Sequence, residues 1–340
     1  MKILYVASKN TVAGVDEYAA LRKVYSNTEF IDPYECFFSR YIFNAIFYYI
    51  HPKILEPLIN QYILSKIKNF YDLIIIRNGE TIGKNLILKL KKKTNKIIFF
   101  CHDNPFVSRD KQRFKMCLAA LKYYDLIIFL QSSRIKLSKK YGIKKTLLVL
   151  PSYTKEIYRP QKITLNEKKK NSNDIIFIGT WMPERGIFFK KLINMGLNLK
   201  IYGTRWNKDK NYEFLKSKIK LGNVSRKLYP KLVQCSKIAL SIPSQGNLDD
   251  ISGRSIEIPA IGTLLCAKRT KRHEKIFAEN KEAIFFSNAK ECYRKCIDLL
   301  LDANKLKKIA HRGHVKVTKI LKTDSESLMK KIVTKAFDDN

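Results

Sequence analysis

Short, uninterrupted apolar runs rich in β-branched and aromatic residues constrain this chain more than any other feature. In the first half they are Lys2–Ala7 (KILYVA), Tyr71–Arg77 (YDLIIIR), Lys96–Cys101 (KIIFFC), Asp125–Leu130 (DLIIFL) and Thr146–Leu150 (TLLVL). Strict alternation of apolar and polar residues would mean strands with one wet face. Continuous runs mean strands covered on both faces, as in a parallel sheet flanked by helices. Helical stretches such as Ile82–Lys93 and Ser132–Tyr141 separate the runs, which makes βαβ units. The pattern restarts with Asp174–Ile178, Leu199–Tyr202, Lys237–Ser241, Thr263–Cys266 and Ala283–Phe286. Helices are expected over Phe188–Met195, from Ser255 to Ala260 and over Ala289–Ala303.

The expectation is therefore an α/β protein with two doubly wound parallel-sheet domains in series. The first spans 1–158 and the second 174–322, joined by the polar, Pro-bearing linker 159–173 (RPQKITLNEKKKNSN). Thr323-Asp-Ser-Glu326 reads as a capping box opening a last helix within 323–340, placed to pack back on the first domain. A chain of 340 residues, 45% hydrophobic, has room for two such cores.

The charge is lopsided: 66 Lys+Arg against 30 Asp+Glu, a net +36. Such a surface attracts anions, whether nucleotide, nucleic acid or acidic lipid, although codon bias toward Lys, Ile and Asn explains the excess equally well. The seven cysteines form no CxxC pair, and Cys292 and Cys296, one helical turn apart, fit plain packing. A reducing, cytoplasmic setting is expected. The sequence enters its first strand at once, without a leader-like apolar segment, and no apolar run approaches the ~20 residues of a membrane span. The longest, Tyr41–Ile50, reads as an amphipathic helix facing the core, with a membrane surface as the other option.

Doubly wound folds bind ligands on the loops that follow their strands, in a cleft where two such domains face each other. Those loops hold the candidate residues. The strongest cluster runs from Asp249 to Gly262 (DDISGRSIEIPAIG). Glu257 suits two hydroxyl hydrogen bonds, as from a ribose, and Asp249 suits a hexose. Ser252, Arg254 and the free N–H groups of the helix start suit a diphosphate between them. On spacing alone a surface ion pair between Arg254 and Glu257 is the simpler reading. The second cluster is Phe177–Gly186 (FIGTWMPERG), with Gly179 for close backbone approach, then Thr180, and Arg185 for phosphate oxygens. The third is Ile201–Trp206 (IYGTRW), where Tyr202, Gly203 and Arg205 are placed to meet a base or simply to form a turn. In the first half, Phe100-Cys-His102-Asp103-Asn104-Pro105 puts a candidate proton handler after a strand. His51, His273, His311 and His314 are scattered and lack carboxylates at ligand spacing, so no metal is assigned.

Taken together, these stretches resemble the CgeB or spore-maturation type of glycosyltransferase, within the clan of retaining GT-B enzymes that includes glycogen-synthase-like sugar transferases. The likeness rests on FIGTWMPERG, IYGTRW, GRSIEIPAIGTLLCA and KIFAENKEAIFFSN in the second half. YDLIIIRNGE, IIFFCHDNPF, YDLIIFLQSS and VLPSYTKEIYRP carry it in the first. It implies two Rossmann-like domains facing across a cleft and a UDP- or GDP-type nucleotide sugar as substrate. Transfer would proceed with retention, without metal or other cofactor. Glu257 matches the clan's ribose glutamate. Asp249 stands where the clan has a second glutamate, and Thr180 where it has a basic residue; Arg254 supplies a charge nearby. His102 or Asp103 matches the cleft histidine, so His102, Asp103 and Arg254 are the implied catalytic residues. The acceptor is open: glycan, lipid or protein, with contact to an anionic membrane at its cytoplasmic face. Two other readings stand beside this one, a glycosyltransferase acting on nucleic acid and a non-catalytic nucleotide-sugar-binding relative. GxGxxG and P-loop signatures are absent, which argues against a dehydrogenase or a P-loop enzyme.

Overall fold

The computed structural model describes residues 1–143 and 145–338. The chain divides into two compact units. The first is Met1–Leu150 with Gln245–Asp249 and Ser325–Asn340, and the second is Pro151–Ser244 with Asp250–Asp324. Each is built around one six-stranded parallel sheet.

The first sheet holds β1 (Ile3–Val6), β2 (Thr28–Ile31), β3 (Tyr71–Arg77), β4 (Thr94–Cys101), β5 (Leu126–Phe129) and β6 (Thr146–Leu148), in the order β2-β1-β3-β4-β5-β6. The second holds β7 (Asn173–Ile178), β8 (Leu199–Gly203), β9 (Ile219–Leu221), β10 (Ser236–Ser241), β11 (Leu264–Lys268) and β12 (Ile284–Phe286), in the order β12-β11-β10-β7-β8-β9. All the pairings are parallel. The continuous apolar runs do what they predict: Leu73, Ile74, Ile75 and Ile76 of β3 have no exposed surface on either face. Alternate residues feed two cores. Ile74 and Ile76 join helix Glu56–Lys66, while Leu73 and Ile75 join helices Val12–Val24 and Ser325–Phe337.

Several expectations need correction. β2 and β9 are short and partly polar, so they carry no continuous apolar run. The stretch 159–173 contains helix Leu165–Asn171. Thr164 and Glu167 close a capping box at its start, a T-x-x-E signal that its lysines obscure. The helix expected over Ala289–Ala303 is two, Ala289–Leu301 and Ala303–Val315, because the Asp302 carboxylate accepts from Lys305 N and starts a second helix. The final helix begins at Ser325, and its apolar face sits in the first unit's core. The last two positions of the expected 323–340 segment lie outside the described residues.

Candidate functional site

In the second unit, the loops after β7 and β8 run side by side. Gly179 N donates to Tyr202 O at 2.8 Å, and Trp181 N to Thr204 O at 2.9 Å. Trp206 Nε1 donates to Gly179 O at 2.9 Å, and the hydroxyls of Thr180 and Thr204 are 3.4 Å apart. Gly203 makes this possible. Its φ is 148°, and a Cβ there would stand 2.1 Å from Gly179 O. Tyr202 is buried, whereas Arg205 is exposed in a left-handed conformation with φ 65°.

Arg185 does not present a free guanidinium to a phosphate. It is 7% exposed, donates to Thr180 O at 2.5 Å and Ile242 O at 2.6 Å, and packs on the Phe177 ring. It ties the loop after β7 to the end of β10. Gly186 follows because a Cβ there would fall 1.7 Å from Asp209, whose carboxylate accepts from Trp181 Nε1 at 2.7 Å.

Below these loops lies a neutral polar chain. Ser241 reaches the hydroxyls of Ser252 and Ser255, both at 2.9 Å, and Ser255 reaches His273 Nε2 at 2.8 Å. His273 Nδ1 lies 2.9 Å from Lys268 O, which can only accept, so Nδ1 carries the proton and Nε2 accepts from Ser255. Burial pushes its pKa down to about 4, so the ring is neutral. The sequence reading left His273 among the scattered histidines. It is fully buried, and no local signal marked it.

Helix Arg254–Ile261 starts where this chain ends. Arg254 is half-buried, and its buried Nε has no hydrogen-bond partner among the described residues. Glu257, one turn on and also half-buried, neighbours Tyr229. Burial raises the phenol's pKa and Glu257 raises it further, while Arg254 opposes both.

His102, Asp103 and Asp249 belong to the first unit. Glu17 is 3% exposed and accepts from Tyr5 Oη at 2.6 Å and Arg77 Nε at 2.7 Å, with His102 Nε2 3.0 Å away. Burial by itself would raise the Glu17 pKa, but Arg77, His102 and Tyr5 outweigh it and hold it at about 2. Burial, then Arg77, pushes His102 below its ordinary value, so it is neutral near pH 7. Asn78 Oδ1 receives the backbone N–H groups of His102 and Asp103 at 3.0 and 3.1 Å, fixing the turn after β4. Asp103 pairs with Arg113 at 3.2 Å. Asp249 pairs with Arg134 at 3.0 Å, and Arg134 also donates to His102 O at 2.6 Å. Burial drives the Asp249 pKa up to about 6 against the pull of Arg134.

The cluster read from Asp249 to Glu257 therefore divides: Asp249 is held by first-unit groups, and Ser252, Arg254 and Glu257 by second-unit groups. Glu17, Arg77, Asn78, Glu80, Arg113 and Arg134 were missed. Arg77, Asn78 and Glu80 directly follow a strand, so the loop-after-strand rule covers them. Glu17 lies within helix Val12–Val24 and looks like a solvated charge.

Among the described residues one group has metal-holding spacing: Cys266, Cys292 and Cys296, with sulfurs within 4.8 Å of one another in the second core. No described helix is long and apolar enough to cross a membrane.

Residues 185–324 match the model of a family described as glycosyl transferase-like. The chain carries a glycosyl transferase-like domain. That places the protein among glycosyltransferases through its second half. No curated protein matches it by sequence. Three solved structures share the architecture over nearly their whole length, at identities that speak for fold alone. The sucrose-phosphate synthase of Thermosynechococcus elongatus has a TM-score of 0.72 at 11% identity, over 98% of each chain. The Escherichia coli trehalose-6-phosphate structure bound with UDP-2-fluoro glucose has 0.70 at 13%, over 100% of each. HepE of Anabaena in complex with UDP and glucose has 0.67 at 11%, over 98% of this chain and 99% of that one. Two Rossmann-like α/β units of this type are the GT-B fold.

Proposed function

We propose that this glycosyltransferase moves a sugar from a UDP- or GDP-type donor held on the second unit. One observation carries the reading: the first turn of helix Arg254–Ile261 offers a buried Arg254 Nε without a hydrogen-bond partner among the described residues, with Glu257 one turn on. A helix N-terminus with a cation suits a diphosphate, and a nearby carboxylate suits ribose hydroxyls. The structural relatives that hold UDP, UDP-glucose or its fluoro analogue support the choice of nucleotide. Gly179, Thr180, Tyr202, Gly203 and Arg205 form the adjoining wall, and Arg185 positions it. Ser252 braces the helix start. His102 and Asp103 act on the acceptor side, with Asp249 held next to them through Arg134. Transfer is metal-independent and retaining in this proposal, and the narrower kinship is with the CgeB type, on the motifs quoted above.

The test is calorimetric binding of UDP- and GDP-sugars, with hydrolysis assayed in parallel, for wild type and Glu257→Ala. Loss of a charge-assisted contact of about 1.5–3 kcal/mol predicts at least a tenfold weaker affinity. Wild type that binds no nucleotide sugar would sink the donor assignment. Binding without any turnover would favour a non-catalytic relative.

A lipid-facing acceptor side is favoured by one further observation. Phe38, Tyr41, Tyr49, Ile50 and Ile54 are 88, 85, 71, 59 and 59% exposed along one short segment. Arg40 and Lys53 lie within it, and its neighbour Glu56 is buried. Aromatic and aliphatic groups beside cations suit an anionic bilayer surface. Tyr41–Ile50 thus both faces the core, through Phe43 and Phe47, and exposes a second face. Cosedimentation with phosphatidylglycerol vesicles but not phosphatidylcholine vesicles is expected, with loss in Tyr41→Ser/Tyr49→Ser. Equal sedimentation with both vesicle types would remove this reading.

A further inference from the structure

Three of the seven cysteines converge at one point of the second core. Cys292 and Cys296 lie one turn apart on helix Ala289–Leu301 and so share a face. Strand β11 supplies the third, Cys266. All three are fully buried. Their sulfurs lie within 4.8 Å of one another, and those of Cys266 and Cys296 are 4.0 Å apart. The core that encloses them is apolar, with Leu240, Ile284, Phe286 and Leu299 among its members.

Three thiols in such a setting narrow the chemistry. Structural zinc takes four ligands in a tetrahedron, and iron–sulfur clusters take four cysteines. Among the described residues this group has three members, and a dry apolar core supplies no water for a fourth position. Monovalent copper is soft, prefers thiolates and is satisfied by three of them in a plane. Bonds of about 2.3 Å, the length of a zinc–thiolate bond, set the sulfurs of a planar trigonal group about 4.0 Å apart. The Cys266–Cys296 separation already matches this, and the other two lie within reach of it.

We propose that Cys266, Cys292 and Cys296 hold one copper(I) ion, which clamps β11 to helix Ala289–Leu301. Each sulfur donates a lone pair to the ion, two thiol protons pass to solvent, and no electron changes hands. The net negative charge falls beside Cys292 in the first turn of the helix, where the helix dipole is positive. The ion has a structural role and no part in sugar transfer, so the proposal does not depend on the donor reading.

Because the sulfurs are enclosed, the ion is loaded by refolding the reduced full chain from urea without oxygen, with copper(I) supplied as its bicinchoninate complex. The protein is then separated from the chelator, and its copper is counted. One copper per chain is expected, with three sulfur neighbours in X-ray absorption and a higher thermal unfolding midpoint than the metal-free protein. Cys296→Ala and Cys292→Ala are expected to lose the copper and the rise in midpoint, with circular dichroism showing both folded; buried cysteine packs as a small hydrophobe, so alanine keeps the site apolar. The double variant Cys36→Ala/Cys235→Ala, which removes the two cysteines that are not fully buried, is expected to keep both. Failure of the wild type to retain copper against the chelator would overturn the proposal. So would equal copper in Cys296→Ala, or oxygen or nitrogen neighbours in place of the third sulfur. Tighter retention of zinc than of copper(I) in a parallel refolding would overturn the choice of ion.

Discussion

The two units share a sheet architecture but hold their functional loops by different chemistry. Under the loops of the first unit lies a buried ionic network, Glu17 with Arg77, Tyr5 and His102. Under those of the second lies a neutral chain of Ser241, Ser252, Ser255 and His273. The ionic network fixes directions strongly, but each member depends on its partner, because a stranded buried charge is costly. The neutral chain holds position with smaller individual contributions. The difference shows that one layout admits two ways of holding a loop, and each way sets how the loop responds to mutation and pH.

The sharpest challenge to this contrast is Glu17→Ala. It strands Arg77, which is 9% exposed, and is expected to cost about 3–5 kcal/mol in urea unfolding. A loss below 1 kcal/mol would mean that the network is not ionic in its energetics. Ser255→Ala is the counterpart in the second unit. It leaves His273 Nε2 without its donor and should cost about 1–3 kcal/mol. Equal losses at the two sites would erase the distinction.

pH sharpens the contrast further, since the two units carry opposite slopes in one window. The Asp249 pKa is raised to about 6 in the fold, above an unfolded value near 4. The native state then holds the extra proton, and this group's contribution to stability falls as pH rises from about 4 to 6. The His273 pKa is lowered to about 4 from its ordinary 6.5, so its contribution is lost as pH falls from about 6.5 to 4. Wild type minus Asp249→Asn, and wild type minus His273→Gln, should give slopes of opposite sign in unfolding measured at pH 4, 5, 6 and 7. Like signs would contradict the two assignments. The smallest effect is expected for Thr164→Ala at the exposed capping box, about 1 kcal/mol or less, with nucleotide-sugar affinity unchanged.

The sequence was most legible where physics acts locally. Continuous runs located β3, β4, β7 and β10 because both faces of each are buried. β2 (TEFI) and β9 (IKL) escaped because sheet-edge strands need little apolar character. Gly179 and Gly203 were visible because close backbone approach requires glycine. The roles of Arg185 and Asp249 were not. Whether a post-strand charge faces a ligand or a backbone carbonyl depends on groups distant in sequence, Ile242 for Arg185 and Arg134 for Asp249. Glu17 was hidden for the same reason, its partner Arg77 lying sixty positions on. The net +36 said little about any one site, because the charges that matter are paired or unpaired one at a time.

The last helix carries a consequence for biosynthesis. Leu328, Met329, Ile332 and Val333 lie in one core with Ile3, Tyr5 and Leu21. A ribosome that has made the first 150 residues has therefore not made the first unit. Its nascent sheet keeps an apolar flank uncovered until helix Ser325–Phe337 is made, although domains generally fold in the order of their synthesis. Of the two units, the one that begins earlier in the chain is completed after the other.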